Sequence, residues 1–162
     1  MAKYIIILFI VLLVSGCQKE ITSLEKYELK NKNIYINVAN KNINLNGAVK
    51  GKHSGELLKF IKNWINNDIK TDGFEGNLMI QLISISSDEL LIDNGIRIQM
   101  ELEMDFIITK KALDKKKIVK FKGKEFSEIT GDFTLNDKEI QINNISKRII
   151  ESLSNKISEE IN

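Results

Sequence analysis

A run of thirteen residues, from Ile96 to Ile108, alternates between apolar and polar side chains almost without a break. Successive side chains of a β-strand point to opposite faces of its sheet. The pattern therefore predicts an antiparallel strand with one face in the core and the other in solvent. The solvent side carries five polar residues: Arg97, Gln99, Glu101, Glu103 and Asp105.

The segment that begins near Ile118 is the predicted partner of this strand. A hairpin centred between Ala112 and Leu113 gives a register in which both faces of the pair are satisfied. On the polar face it aligns opposite charges: Asp105 with Lys120, Glu103 with Lys122, and Glu101 with Lys124. On the buried face it aligns apolar residues: Phe106 with Val119, and Met104 with Phe121.

The remaining segments predict three more strands and two amphipathic helices. The first helix runs from Ser54, its N-cap, to Thr71, and Gly73 ends it. Asn136 opens the second helix with Glu139 in a capping box. The three strands are Ile34 to Val38, a weaker one around Ile43 and Leu45, and Asn77 to Ile85, which is apolar enough to be covered on both faces.

These elements predict an α+β fold in the order β-β-α-β-β-β-α. A mostly antiparallel sheet of about five strands would pack against two helices on one face. The charged ladder of the long hairpin would then lie on the other face.

The N-terminus has the features of an export signal. Lys3 is followed by ten apolar residues, Ile5 to Val14, and a helix of that length spans only about half of a bilayer core. Val14-Ser15-Gly16-Cys17 comes next and resembles a lipobox, the signal for lipid attachment to cysteine. The resemblance implies cleavage between Gly16 and Cys17, with diacylglycerol and an N-acyl chain such as palmitate on Cys17.

This processing divides the chain into residues 1–16 as a lipoprotein signal peptide, 17–33 as a polar tether and 34–162 as one α+β periplasmic domain. Cys17 is the only cysteine, so it cannot form an intramolecular disulfide. The second residue of the mature chain is Gln18 and not Asp, which favours the outer over the inner membrane of a Gram-negative envelope. The expected location is periplasm-facing and lipid-anchored.

Charge and residue types argue against several functions. The formal net charge is only +2, whereas a nucleic-acid-binding domain normally has a strongly basic face. The chain shows no cluster of residues at metal-ligand spacing and no phosphate-binding glycine motif, so neither metal nor cofactor is expected. His53 is the sole histidine, and we expect it to have a structural role. We do not expect the protein to be an enzyme.

Two groups of residues have a functional interpretation as well as a structural one. Lys120, Lys122 and Lys124 are expected to form a solvated ladder with acidic neighbours, and the alternative is a surface for a partner or ligand. Four core candidates could instead line an apolar pocket: Met100, Met104, Phe106 and Phe121.

The layout from about Ile34 to Ile161 resembles a family of uncharacterised alphaproteobacterial periplasmic lipoproteins. The likeness rests on His53, the helix with Trp64, the turn at Gly73, the long hairpin and Leu135-Asn136-Asp137. At the level of architecture the chain is also similar to LptE-type lipopolysaccharide-assembly lipoproteins and to auxiliary lipoproteins of ABC transporters. These resemblances imply a non-catalytic accessory role with an envelope protein partner; the alternative is a module that binds lipid or another apolar ligand.

Overall fold

The computed structural model describes residues 33–110 and 115–161. The predicted signal peptide, Cys17 and nearly all of the tether lie outside these residues. The described residues follow the predicted α+β order, with two additional short strands. Their elements are β1 (Ile34–Ile36), β2 (Asn40–Asn44), β3 (Ala48–Lys50), α1 (Ser54–Asn67), β4 (Ile69–Thr71), β5 (Asn77–Ile92), β6 (Gly95–Lys110), β7 (Lys115–Thr130) and α2 (Leu135–Ile161).

Three antiparallel strands of 16 residues form the body of the sheet. β5 turns into β6 through Asp93 and Asn94, and β6 pairs with β7 from Gly95 opposite Thr130 to Lys110 opposite Lys115. The predicted β6–β7 register is confirmed at every pair, on the charged and on the apolar face.

A β-bulge in β5 keeps the apolar side chains of that strand in the core. The register with β6 shifts between Leu82 and Ser84, so Ile85 takes the inward position that Ser84 would have without the extra residue. Gly47 lies against the bulge, and a Cβ there would be 2.5 Å from the carbonyl oxygen of Leu82. The expectation that β5 is covered on both faces is wrong, because Met79 is 43% exposed.

Short strands on the other side of β5 pair in parallel. β2 and β3 follow each other along β5, and β1 and β4 form a separate parallel pair. β4 replaces the last turn of the predicted first helix: the spacing of Ile69 from Ile65 fits a helix, but Ile69 pairs with Ile34. The helix ends at Asn67 because pairing with β1 satisfies the backbone that follows.

The observed N-cap of each helix lies one or two residues before the predicted one. The N-cap of α1 is His53, and Ser54 is the first helical residue. At α2, the Thr134 hydroxyl accepts a hydrogen bond from the Asp137 amide at 3.2 Å, while the Asp137 carboxylate accepts one from the Thr134 amide at 2.8 Å. This reciprocal pair forms the capping box that was predicted for Asn136 and Glu139.

The core lies between the helices and the inward face of the long strands. Trp64 of α1 meets Phe106 of β6 edge to face, with 6.2 Å between ring centroids. The Ser146 hydroxyl of α2 lies 3.8 Å from the Met100 sulfur of β6. Each large apolar side chain buried in this way contributes roughly 1.5–3 kcal/mol, and this burial is what holds the two layers together.

Candidate partner-binding surface

The opposite side of the three long strands is covered by neither helix, and we call it the outer face. It consists of the odd-numbered side chains of β6, the even-numbered side chains of β7 and their neighbours on β5. Sixteen residues at about 3.3 Å each, and three strands each about 4.8 Å wide, give a flat area of roughly 760 Å². A standard protein–protein interface buries about 800 Å² on each partner, so the outer face is close to that size.

The middle of the outer face is a ladder of paired charges. The Lys122 ammonium lies 2.5 Å from the Glu103 carboxylate, and the Lys124 ammonium lies 2.9 Å from that of Glu101. The hydrogen bond and charge of Glu103 raise the pKa of Lys122. The structure therefore brings Lys120, Lys122 and Lys124 onto one exposed face, as the sequence predicts, with acidic neighbours that neutralise much of their charge.

Exposed apolar side chains lie on both sides of this ladder. Met79 and Ile118, which are exposed, and Ile107, which is half-buried, form one row across the three strands, at the end where β5 begins. Phe126 is 53% exposed near the other end, and the Arg97 guanidinium lies 5.0 Å from its ring centroid. A charged centre between apolar and aromatic contacts is a composition that suits protein recognition.

His53 belongs to a polar cluster that joins three elements. One oxygen of the Glu89 carboxylate on β5 is 3.1 Å from His53 Nε2, and the other is 2.7 Å from Lys138 Nζ on α2. The hydrogen bonds from Lys138 and then His53 lower the pKa of Glu89. The cluster ties the beginnings of both helices to the end of β5, which is a structural role.

Two buried serines beside His53 do not form a nucleophile–base pair with its ring. The Ser87 hydroxyl oxygen accepts a hydrogen bond from the His53 backbone amide at 2.9 Å and lies 3.2 Å from the Ser54 hydroxyl. The Ser54 hydroxyl donates to the Lys50 carbonyl. The hydroxyls thus bind backbone and each other, while the imidazole binds Glu89, so the geometry favours helix docking over hydrolysis.

The end of α1 holds two charged groups that sequence reasoning missed. The Lys41 ammonium donates to the carbonyl oxygens of Ile65 at 3.0 Å and Ile69 at 2.8 Å, where a helix dipole favours a cation. Burial lowers the pKa of Lys41, and Lys70 adds to the effect. Burial also raises the pKa of Asp68, which is only 5% exposed. Their roles depend on tertiary contacts, so no local sequence pattern could identify them.

The four residues proposed as a pocket lining lie in the core. Met100, Met104 and Phe106 are fully buried, and Phe121 is nearly so. Their contacts with the helices, described above for Met100 and Phe106, are those of core packing.

Metal-ligating residues and membrane-spanning helices were also sought within residues 33–110 and 115–161. This part of the chain brings together no group of three or more metal-ligating side chains. None of its helices is long and apolar enough to cross a membrane. The predicted lipidation site, Cys17, and the cleavage site after Gly16 lie outside it.

Comparison with known proteins gives similarities of structure only. No protein-family model and no curated protein sequence matches the chain. Among solved structures it is similar to a minor lipoprotein of Acinetobacter baumannii, with 13% identity, a TM-score of 0.43, and coverage of 78% of this chain and 92% of that one. It is also similar to rare lipoprotein B of Shewanella oneidensis, with 14% identity, a TM-score of 0.38, and coverage of 75% and 99%. Both neighbours are bacterial lipoproteins, but TM-scores below 0.5 transfer no property to this chain.

Proposed function

We propose that the protein is a non-catalytic accessory lipoprotein of a Gram-negative envelope. Lipid on Cys17 would hold it at a membrane, with the outer membrane favoured, and the domain would face the periplasm. There it would bind a membrane-embedded protein and help to assemble or operate it, as LptE-type or transporter-auxiliary lipoproteins do. The alternative, a module for lipid or another apolar ligand, has weaker support because the residues that would line its pocket pack in the core.

The observation that carries this proposal is the outer face. It has the area of a standard interface, exposed apolar residues at both ends and paired charges between them. Charged pairs of this kind add little stability on a surface, but they can select a partner of matching charge pattern.

The position at which the chain joins the domain is compatible with this role. Ile34 pairs with Ile69, and the carbonyl oxygen of Ile69 accepts a hydrogen bond from the Lys41 ammonium at 2.8 Å. Lys41 itself pairs with Leu78 at the beginning of β5. A tether that ends at Asn33 therefore reaches the domain at one end of the long strands. The Phe126 end of the outer face lies away from that attachment point.

Photo-crosslinking in cells tests the proposal. A photoreactive amino acid replaces Phe126 on the outer face of the lipidated full-length protein, and the matched control carries it at Glu151, an exposed position on α2. We expect one envelope protein to be captured from position 126, little of it from position 151, and none when Cys17→Ser is added. Equal capture at both positions would contradict the role of the outer face, and undiminished capture by the Cys17→Ser protein would contradict the need for the anchor.

A further inference from the structure

β7 is a long strand at the edge of the sheet. It pairs with β6 along its whole length and is last in the order β2-β5-β6-β7. α2 contacts β7 from the inward face, where Ser127 donates to Gln141 at 2.7 Å. No other strand among the described residues lies beside the second side of β7, so that side is a free strand edge.

Two contacts show which backbone groups point to this edge. A Cβ on Gly95 of β6 would be 1.9 Å from the carbonyl oxygen of Ile129, so that carbonyl points towards β6. The carbonyl of Phe126 instead accepts a hydrogen bond from Arg148 of α2 at 2.7 Å. The N–H and C=O groups of a strand alternate in direction from residue to residue. The even-numbered residues of β7 therefore point their backbone groups to the free edge.

The stretch from Ile118 to Lys124 leaves these groups open. Arg148 covers the edge at Phe126, whereas no described contact covers it at Ile118, Lys120, Lys122 or Lys124. Four edge-facing residues can exchange about eight hydrogen bonds with an added antiparallel strand. Seven residues of added strand would be enough to occupy this stretch.

The charges on β7 indicate which kind of strand could bind at its free edge. Lys120, Lys122 and Lys124 stand at alternate positions, so antiparallel pairing of two copies through this stretch would place ammonium groups against each other. β6 shows the complementary pattern on the other side, with Asp105, Glu103 and Glu101 at alternate positions. Lys120 makes no ion pair within the described part of the chain, so its ammonium is available to a carboxylate of a partner.

We propose that the free edge of β7 binds an extended segment of a partner protein by strand addition, and that this segment carries Glu or Asp at every second residue. Its backbone would bond to the even-numbered residues from Ile118 to Lys124. Its acidic side chains would lie on the outer face beside the lysines. The inference deepens the proposed function, because it names the chemistry by which the partner binds next to that face.

A synthetic peptide tests strand addition directly on the purified full-length protein in detergent. The probe has nine residues in which Glu alternates with Thr or Val, and the control peptide has Gln in place of each Glu. Fluorescence anisotropy measures affinity at low salt. We expect the Glu peptide to bind at least tenfold more tightly than the Gln peptide. No binding of the Glu peptide at millimolar concentration would overturn the proposal.

Amide hydrogen exchange locates the peptide without any substitution. The amides of Lys120, Lys122 and Lys124 should exchange at least tenfold more slowly in the complex. Those of Phe121 and Gly123 should change little, because they already bond to β6. Equal slowing of both sets, or slowing elsewhere only, would contradict strand addition.

A proline variant removes one edge donor and leaves the β6 ladder intact. Lys120→Pro should lower the affinity for the Glu peptide at least tenfold, and Lys120→Ala, which keeps the amide, by about threefold or less. Equal losses would overturn the backbone role. Circular dichroism checks the fold, and the exchange experiment stands if the proline variant does not fold. The peptide assay does not depend on Cys17 or on photo-crosslinking at Phe126, so this inference and the proposed function can fail separately.

Discussion

Removal of the Glu89 charge should loosen the junction between β5 and both helices. In Glu89→Gln the carboxylate that bridges His53 and Lys138 is replaced by a neutral amide. Hydrogen bonds to charged groups are worth about 1.5–3 kcal/mol when buried. The side chain of Glu89 is 26% exposed, so solvent weakens both bonds. We expect a loss of about 1–2 kcal/mol in the free energy of unfolding at pH 7, or roughly 3–8 °C in Tm.

The pH dependence of this loss follows from the lowered pKa of Glu89. A carboxyl whose pKa is lower in the folded state stabilises the protein above its unfolded pKa of about 4.3, and the contribution disappears as pH falls through the folded pKa. The difference between wild type and Glu89→Gln should therefore shrink as pH falls below about pH 4.

Urea unfolding followed by circular dichroism at a series of pH values measures this difference. Glu151→Gln is the control, since it changes an exposed carboxylate of α2 and should alter the free energy of unfolding by less than about 0.5 kcal/mol. A double-mutant cycle with Lys138→Met should show coupling with Glu89. A difference that persists unchanged at pH 3, or a cycle without coupling, would refute the assigned role of the bridge.

Three further substitutions, and one control, test the packing and the electrostatics. Asp68→Asn should stabilise the protein at neutral pH but not at pH 3. The pKa of Asp68 is raised by burial, so its ionisation as pH rises destabilises the folded protein, and asparagine removes that cost. Urea unfolding at both pH values checks the sign. Phe106→Ala should cost about 3–5 kcal/mol, measured in the same way at pH 7, because it empties the contact with Trp64. Gly51→Ala should cost more than about 2 kcal/mol, since φ is +94° and the new Cβ would be 1.9 Å from the Ser87 carbonyl oxygen. Gly55→Ala is the control, because nothing lies within 4 Å of the new Cβ, and in thermal melts it should not lower Tm.

Sequence alone determined the part of the fold in which local pattern and pairing agree. The period-two alternation from Ile96 to Ile108 defined the strand, and the charges on either side of the hairpin defined its register. A slip of one residue would turn every side chain of the strand to the wrong face, so such a pattern excludes that slip. That same register placed the three lysines of the outer face correctly.

Tertiary structure decided the features that depend on distant segments. The spacing of Ile69 fits a helix, and only the pairing with Ile34 makes it a strand residue. The bridge from Glu89 to His53 and Lys138 joins residues 36 and 49 positions apart. The free edge of β7 likewise depends on the lateral order of the strands. Side-chain periodicity records which face of an element is buried, but not which element packs beside it, because that choice is made by long-range packing.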